Sequence, residues 1–215
     1  RAGKGSTYEG GVRVPMIITY PQAIDSNTVI KHPVHAVDIV PTCLAFAGGT
    51  VPSKHPLDGR DLTSALTQGN DPTLEIRPIF QYYPFYDLRW GLTPNASVRL
   101  GDYKLIEFYG DHVLRNNAYE SGATFDLYNL RDDISESNNL FESQPANEPD
   151  FQQRLRKWLA SMAVTQPTSN NHYDPQRAFF ETREKPDCLQ RVLWKPKLRL
   201  MQIISYVPQL SRLLH

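Results

Sequence analysis

Four short runs rich in aromatic and β-branched residues lie in the middle of the chain, and they constrain its fold more than any other feature. They cover residues 78–83, 96–100, 103–109 and 124–130, and glycine, asparagine and aspartate occur between them. Runs of this length separated by turn residues are typical of antiparallel strands. Gly101 and Asp102, between the second and third runs, predict a hairpin turn. We therefore expect a small antiparallel sheet.

A helix is predicted directly after the sheet, over residues 150–162. Its apolar side chains fall at spacings that build one stripe along a helix, at Phe151, Leu155, Trp158, Leu159 and Met162. We expect this stripe to pack on the sheet.

The first 70 residues have a mixed pattern that predicts the end of an α/β domain. The apolar residues of 12–20 predict a buried strand, and a mostly apolar helix is expected to begin at Asp38, as its cap, and to end near Ala47. A short helix is expected over 61–67, and the pattern changes to strands between 69 and 78. We predict three parts: 1–70 from the α/β domain, 71–165 as an antiparallel subdomain with its helix, and 166–215 as an extended tail.

Charge and cysteine content exclude several function classes. Lysine plus arginine and aspartate plus glutamate each number 23 in 215 residues, so no global electrostatic case exists for nucleic acid or an anionic membrane. No apolar run reaches the roughly 20 residues that span a bilayer. Cys43 and Cys188 lie far apart in segments of different character, so the sequence predicts neither a disulfide framework nor a zinc motif. We expect Cys43 to be buried.

The run at residues 3–15 carries the clearest chemical signal in the chain. It reads Gly-Lys-Gly-Ser-Thr-Tyr-Glu-Gly-Gly-Val-Arg-Val-Pro. Glycines let the backbone approach a ligand closely, and the ammonium of Lys4 can donate to a tetrahedral oxyanion. The alternative from the residues alone is a structural loop in which Glu9 and Arg13 pair.

This run closely resembles the second signature of the type I sulfatases, and further resemblances follow in order along residues 1–178. Residues 38–42 with Ala47 and Gly48 resemble the family's D-(I/L)-x-P-T helix, and residues 57–62 resemble its LDG loop. Residues 101–105 resemble the family's GDYKL element, and residues 126–130, followed by Glu136 and residues 138–140, resemble its E-LYDL…D-x-x-E-x-N-L element; both belong to the smaller C-terminal subdomain.

The resemblance implies a fold, an activity and one site residue. The fold is α/β: the end of an alkaline-phosphatase-like sulfatase domain plus a small C-terminal antiparallel sheet with a packed helix. Family members hydrolyse sulfate esters with a formylglycine made from the cysteine of a C-x-P-S-R motif, and a calcium ion, Ca²⁺, helps to bind the sulfate. Lys4 matches the family lysine that contacts a sulfate oxygen, so we assign it to substrate binding.

Neither cysteine of this chain lies in a C-x-P-S-R context, and the family's metal ligands lie upstream of the opening run. We therefore assign no catalytic and no metal-binding residue, and we expect the chain to be an inactive C-terminal fragment of a longer sulfatase. Its parent would act on a sulfated small molecule or glycan and would be periplasmic, secreted or lysosomal. Two alternatives remain: a fragment of a related phosphodiesterase or phosphonate hydrolase, or a non-catalytic remnant that binds anions or carbohydrate.

Overall fold

The predicted antiparallel sheet forms the centre of the structure. The computed structural model describes residues 2–3, 6–85, 93–110, 112–113, 119–120, 123–143, 150–165 and 167–168. Four strands, β1 (Ile79–Tyr83), β2 (Asn95–Leu100), β3 (Tyr103–Phe108) and β6 (Thr124–Asn129), pair antiparallel in the order β1-β2-β3-β6. A separate two-stranded ribbon pairs β4 (His112–Val113) with β5 (Tyr119–Glu120).

The turn between β2 and β3 confirms the hairpin that the sequence predicts. Leu100 pairs with Tyr103, so only Gly101 and Asp102 connect the two strands. Gly101 has a φ of 57°. This left-handed conformation is open to glycine at little cost because glycine lacks a Cβ.

The helix α5 (Phe151–Ser161) covers one face of the sheet, as its apolar stripe predicts. The side chain of Asp150 caps its first turn by accepting the N–H of Gln153 at 2.8 Å. Trp158 stacks on Phe80 of β1, with ring centroids 4.8 Å apart and planes 7° from parallel. The core between helix and sheet consists of Ala96, Val98, Leu105, Leu127, Phe151, Leu155 and Leu159.

The opposite face of the sheet is covered by the opening run of the chain. A single-turn helix, α1 (Glu9–Val12), follows Tyr8, and the Tyr8 side chain packs with Ile106, Phe108, Tyr128 and Leu130. Successive side chains of a strand point to opposite faces. β3 therefore sends Leu105 toward α5 and Lys104, Ile106 and Phe108 toward the opening run.

Short helices and loops between the opening run and β1 form a third cluster. A 3₁₀ turn (Ala36–Asp38) leads into α2 (Ile39–Phe46), and α3 (Thr63–Gln68) and α4 (Pro72–Glu75) follow. The buried hydrophobic side chains of this cluster are Leu62, Ala65, Leu66 and Leu74. The short helix predicted over 61–67 is thus present as α3.

The buried strand predicted over 12–20 is wrong. Only Val12 lies in a regular element, at the end of α1, and the side chains of Val14 and Ile17 are 75% and 91% exposed. A buried strand needs neighbours that take up its N–H and C=O groups. The sheet in the described part of the chain has the order β1-β2-β3-β6, and none of these strands pairs with this segment.

The helix predicted from Asp38 is present, but its predicted burial is wrong. In α2 only Pro41 and Thr42 are buried, whereas Ile39 and Val40 are exposed. Cys43, expected to be buried, is also exposed. The apolar content of a helix favours burial, but the neighbours that are present decide which side chains are covered.

Two parts of the predicted domain organisation stay predictions. The boundary near residue 70 stays untested, because the described residues all fall within one compact unit, Arg1–Ser169. The tail predicted at 166–215 lies almost wholly outside the described residues. Within those residues, no helix combines the length and the apolar character needed to cross a membrane.

Candidate functional site: the anchored opening run

Lys4, the one residue assigned to substrate binding from the sequence, lies outside the described residues, as does Gly5. The structure describes the chain on both sides of them. The run folds back on itself at Gly11, where the backbone carbonyls of Gly3 and Ser6 come close. A Cβ at this position would collide with the carbonyl oxygen of Ser6 and would lie 2.6 Å from that of Gly3, so the close approach needs glycine. Ser6 Oγ also donates to the carbonyl of Gly3 at 3.1 Å.

Tyr8 anchors the run to the last strand of the sheet. Its hydroxyl donates to Asp126 Oδ2 at 2.8 Å, and the hydroxyl of Tyr128 donates to the same oxygen at 2.8 Å. Asn139 Nδ2 donates to the other carboxylate oxygen, Oδ1, at 2.8 Å. Tyr8 and Asp126 are buried. A buried carboxylate that accepts several hydrogen bonds is a directional anchor, because leaving any donor unpaired there is costly.

Glu9 anchors the run to the middle of the sheet through cations. Lys104 Nζ lies 3.1 Å from Glu9 Oε1, and Arg99 Nη1 lies 3.3 Å from Glu9 Oε2. Arg13, predicted as the partner of Glu9, is also within pairing range at 3.7 Å, but its side chain is 60% exposed. The Glu9–Arg13 pair is therefore present, while the partners of Glu9 that are more buried are Arg99 of β2, 23% exposed, and Lys104 of β3, 2% exposed.

The strand register explains why the sheet needs an acid at this point. Arg99 of β2 and Lys104 of β3 are direct cross-strand partners. Like charges directly opposite one another destabilise a sheet. Glu9 accepts from both cations, which offsets their repulsion and ties the opening run to two strands at once.

A second carboxylate, from the loop after β6, completes this cluster. Glu136 Oε1 lies 3.0 Å from Lys104 Nζ, and Glu136 Oε2 accepts the backbone N–H of Glu9 at 2.8 Å. Lys104 is 2% exposed and Glu136 is fully buried. Charges buried to this degree persist in proteins when they are paired and hydrogen-bonded, as these are.

Asp38 joins the helical part of the chain to the start of the sheet. Both of its carboxylate oxygens accept from the guanidinium of Arg77, at 2.7 Å each, and the N–H groups of His35 and Arg60 also donate to it. Burial acts to raise the pKa of Asp38, but the hydrogen bonds from Arg77, Arg60 and His35 outweigh it and hold this pKa below its ordinary value. Asp38 is the N-cap residue of α2, as the sequence predicts, but its carboxylate makes no capping hydrogen bond to that helix and instead accepts these four hydrogen bonds.

Sequence reasoning missed the roles of Arg99, Lys104, Glu136 and Arg77. One signal could have identified Lys104: it precedes Ile106 and Phe108 at a spacing of two, so it shares their strand face. A lysine on a face that is otherwise apolar predicts a buried acidic partner. The partners of that lysine come from residues 95 positions before it and 32 after it. No local pattern links these positions.

A calcium site does not arise from the described residues. No group of three or more histidine, cysteine, aspartate or glutamate side chains among them could hold a metal ion. The buried carboxylates of Glu9 and Glu136 are taken up by Lys104, Arg99 and a backbone N–H. The contacts of this cluster therefore hold the opening run on the sheet, and they do not form a metal site.

Comparison with known proteins assigns the family. Residues 3–165 match the family model of the N-sulphoglucosamine sulphohydrolase C-terminal region. This match includes the opening run, the whole sheet and α5. The chain belongs to the sulfatase family. It corresponds to a C-terminal portion, and the sheet with its packed helix is the fold that the sulfatase resemblance implies.

Similar proteins are sulfatases from bacteria and animals. The chain is 33% identical over 171 residues to a sulfatase of Formosa agariphila, which covers 74% of this chain and 29% of the relative. It is 28% identical over 196 residues to an N-acetylglucosamine-6-O-sulfatase of Bacteroides thetaiotaomicron, which covers 91% of this chain and 30% of the relative. This sulfatase chain thus spans about three tenths of the length of these two curated relatives.

Solved structures agree with the fold. One of them, determined in complex with its substrate D-glucosamine-2-N,6-O-disulfate, superposes with a TM-score of 0.51 at 28% identity, over 68% of this sulfatase chain and 27% of that chain. Another solved structure, 24% identical, gives a TM-score of 0.54 over 75% of this chain and 31% of its own, and supports the fold alone.

Proposed function

We propose that this chain is the C-terminal portion of a sulfatase that hydrolyses sulfate esters, and that it lacks activity without the rest of that enzyme. The observation that carries the proposal is the anchoring of the opening run: Tyr8 and Glu9 are tied into the sheet by buried contacts with Asp126, Lys104 and Glu136. These anchors lie four and five positions after Lys4 in the same run, so they tether the segment that carries this lysine to the sheet.

The proposed role of Lys4 is to bind the sulfate group. A lysine ammonium is a compact cation that donates hydrogen bonds to oxyanions. At a sulfate oxygen it would offset the negative charge that develops as the S–O bond breaks. The formylglycine nucleophile and the calcium ion that the resemblance implies would be supplied by other parts of the enzyme. The substrate class is proposed as a sulfated small molecule or glycan, and the compartment as periplasm, lysosome or the exterior of the cell.

Exposed apolar side chains support the view that this portion packs against more protein. Val14 and Ile17 precede α2, and Ile39 and Val40 lie at its start, all with 45% or more of their surface exposed. Exposed apolar side chains mark contacts with other protein where they form a contiguous patch. We propose that the α/β domain of the sulfatase covers them.

The proposal is tested by comparing the 215-residue chain with the polypeptide encoded by the complete reading frame. Release of sulfate from an aryl sulfate and from a sulfated glucosamine is measured for both, with a phosphate monoester and a phosphodiester as alternative substrates. We expect sulfate release by the complete polypeptide and none by the chain alone. Preferential hydrolysis of the phosphodiester would favour the related phosphodiesterase, and no hydrolysis of any ester would favour a non-catalytic remnant.

The role of Lys4 is tested in the same polypeptide with Lys4→Met. Removing one donor that stabilises developing charge costs about 10²–10³ in rate. The matched control is Lys54→Met, which removes an exposed lysine from a loop. Equal activity of the two variants would contradict the assignment of Lys4.

A further inference from the structure

Glu136 has an unusual backbone conformation for a residue other than glycine. Its φ is 53°, in the left-handed region, and its side chain is fully buried. Left-handed backbone is unfavourable for residues with a Cβ and persists where the surroundings determine the conformation. Glu136 also does not belong to any helix or strand. Two sets of contacts matter here: those that fix the backbone of Glu136, and those that the Glu136 carboxylate makes with other residues.

The loop around Glu136 is fixed on both sides. Before it, Asp133 Oδ2 accepts the N–H groups of Ser137 and Asn138 at 2.6 and 2.8 Å, and the N–H of Glu136 donates to the carbonyl of Asp133 at 3.1 Å. After it, Asn139 Oδ1 accepts the N–H of Leu127 on β6 at 2.9 Å. These contacts tie the loop to itself and to the sheet, so the position of the Glu136 carboxylate is well determined.

The carboxylate of Glu136 in turn holds the start of α1. The first N–H groups of a helix have no partner within that helix. Tyr8, the residue that precedes α1, provides no side-chain cap. Glu136 Oε2 accepts the N–H of Glu9, and Glu136 Oε1 binds Lys104, which also binds the Glu9 side chain. Glu136 therefore fixes both the backbone and, through Lys104, the side chain of one residue.

We infer that Glu136 is a positioning residue for the opening run: it fixes Glu9 from a loop 127 residues away and thereby sets where Tyr8 and Glu9 are held on the sheet. Its consequence for sulfate rests on the proposed function. Glu136 itself lies within the protein and is not assigned contact with the substrate. A contact that holds a binding loop in place acts by keeping the loop in the conformation that binds.

The first arm of the test measures amide hydrogen exchange in the 215-residue chain with Glu136→Gln. This variant keeps the shape of the side chain but removes the charge that pairs with Lys104. We expect exchange at Glu9 and the following residues of α1 to accelerate about tenfold or more, while β2 and β3 keep their protection. The matched control is Glu142→Gln, the same chemical change at an exposed position. It should leave exchange unchanged.

A second variant, Glu136→Asp, keeps the charge and shortens the side chain, so it decides the question where Glu136→Gln fails to fold. We expect it to give a smaller acceleration, confined to the same amides. Unchanged exchange at Glu9 in both variants would overturn the inference. So would a uniform loss of protection across the sheet, since Glu136 would then be a general stabilising residue.

The second arm measures inhibition by inorganic sulfate in the polypeptide of the complete reading frame. Glu136→Gln should raise the inhibition constant about tenfold relative to Glu142→Gln, and Glu136→Asp should restore part of the loss. Faster exchange at Glu9 without any change in sulfate inhibition would overturn the positioning role. If the unmodified polypeptide neither binds sulfate nor hydrolyses its esters, the proposed function and the link to sulfate both fail, whereas the exchange arm still reports on the contact with Glu9.

Discussion

Lys104→Met is the substitution for which the structure predicts the clearest energetic effect. The Lys104 side chain is 2% exposed, and its ammonium lies 3.1 Å from Glu9 and 3.0 Å from Glu136, which are 5% and 0% exposed. Methionine matches the length and apolar stem of lysine, so the change chiefly removes the charge. It leaves two buried carboxylates next to one another without the cation that both of them bind.

Removing one partner of a buried ion pair costs about 3–5 kcal/mol, because the remaining charge is neither solvated nor paired. Arg99 stays 3.3 Å from Glu9, so that carboxylate keeps a partly buried cation. Glu136 loses its ammonium and keeps the N–H of Glu9. We therefore expect a loss of about 3 kcal/mol in the free energy of unfolding, a large fraction of the about 5–15 kcal/mol typical of a folded domain.

The assay is equilibrium unfolding of the 215-residue chain in urea, followed by circular dichroism. The control is Arg131→Met, which removes a cation 67% exposed and 3.2 Å from Asp102, itself 46% exposed. A surface pair of this kind contributes about 0–1 kcal/mol. A loss below about 1 kcal/mol for Lys104→Met, or an equal loss in the two variants, would refute the reasoning that the buried cluster holds the run on the sheet.

Substitutions at four further positions test the rest of the reasoning. Asp38→Asn should cost about 3–5 kcal/mol at neutral pH, since Arg77 stays buried without its carboxylate. Because folding lowers the pKa of Asp38, its ion pair stabilises the unmodified chain above about pH 4 and is lost as the pH falls through the lowered pKa; urea titrations from pH 7 to 2 should show a shallower acid loss in the variant. Gly11→Ala should cost about 1–3 kcal/mol in urea unfolding, because the new methyl group collides with a backbone carbonyl. Glu136→Gly should be more stable than Glu136→Ala by about 1 kcal/mol, since alanine keeps the penalty of a positive φ. Ile17→Asp should change the stability of the 215-residue chain by less than about 0.5 kcal/mol, but should lower the melting temperature of the complete polypeptide if the α/β domain covers this side chain.

Each of these expectations has a result that contradicts it. Parallel acid profiles for Asp38→Asn and the unmodified chain would show that this carboxylate does not contribute to acid unfolding. An unchanged free energy of unfolding for Gly11→Ala would mean that the opening run can move away from the new methyl group without loss of stability. If Glu136→Gly is less stable than Glu136→Ala, the entropy that glycine adds to the unfolded chain outweighs the strain of a positive φ in alanine. Equal melting temperatures for Ile17→Asp and the unmodified complete polypeptide would show that the α/β domain does not cover Ile17.

The sheet and α5 could be predicted closely because their signals are local. Alternating side chains and the turn residues Gly101 and Asp102 define β2 and β3 to within a residue. The spacing of Phe151, Leu155 and Leu159 defines the buried face of α5. These patterns depend on backbone periodicity and turn geometry, which are properties of neighbouring residues.

The burial of the first 50 residues could not be predicted in the same way. The apolar residues of 12–20 and of α2 indicate a tendency to be covered, yet Ile17 and Val40 are exposed and Cys43 is too. Whether an apolar side chain is covered depends on what else is present to pack against it. Composition reports only the tendency.

For the candidate site, the sequence by itself determined the family resemblance and the pairing of Glu9 with Arg13, while the assignment of Lys4 to substrate binding stays a prediction. Only the tertiary structure decided that Glu9 binds Lys104 and is held by Glu136. These contacts join positions far apart in the chain, and they arise because the strand register sets two cations side by side on a buried face. A buried charge must find an opposite partner wherever the fold brings one, and no local rule says which residue that will be.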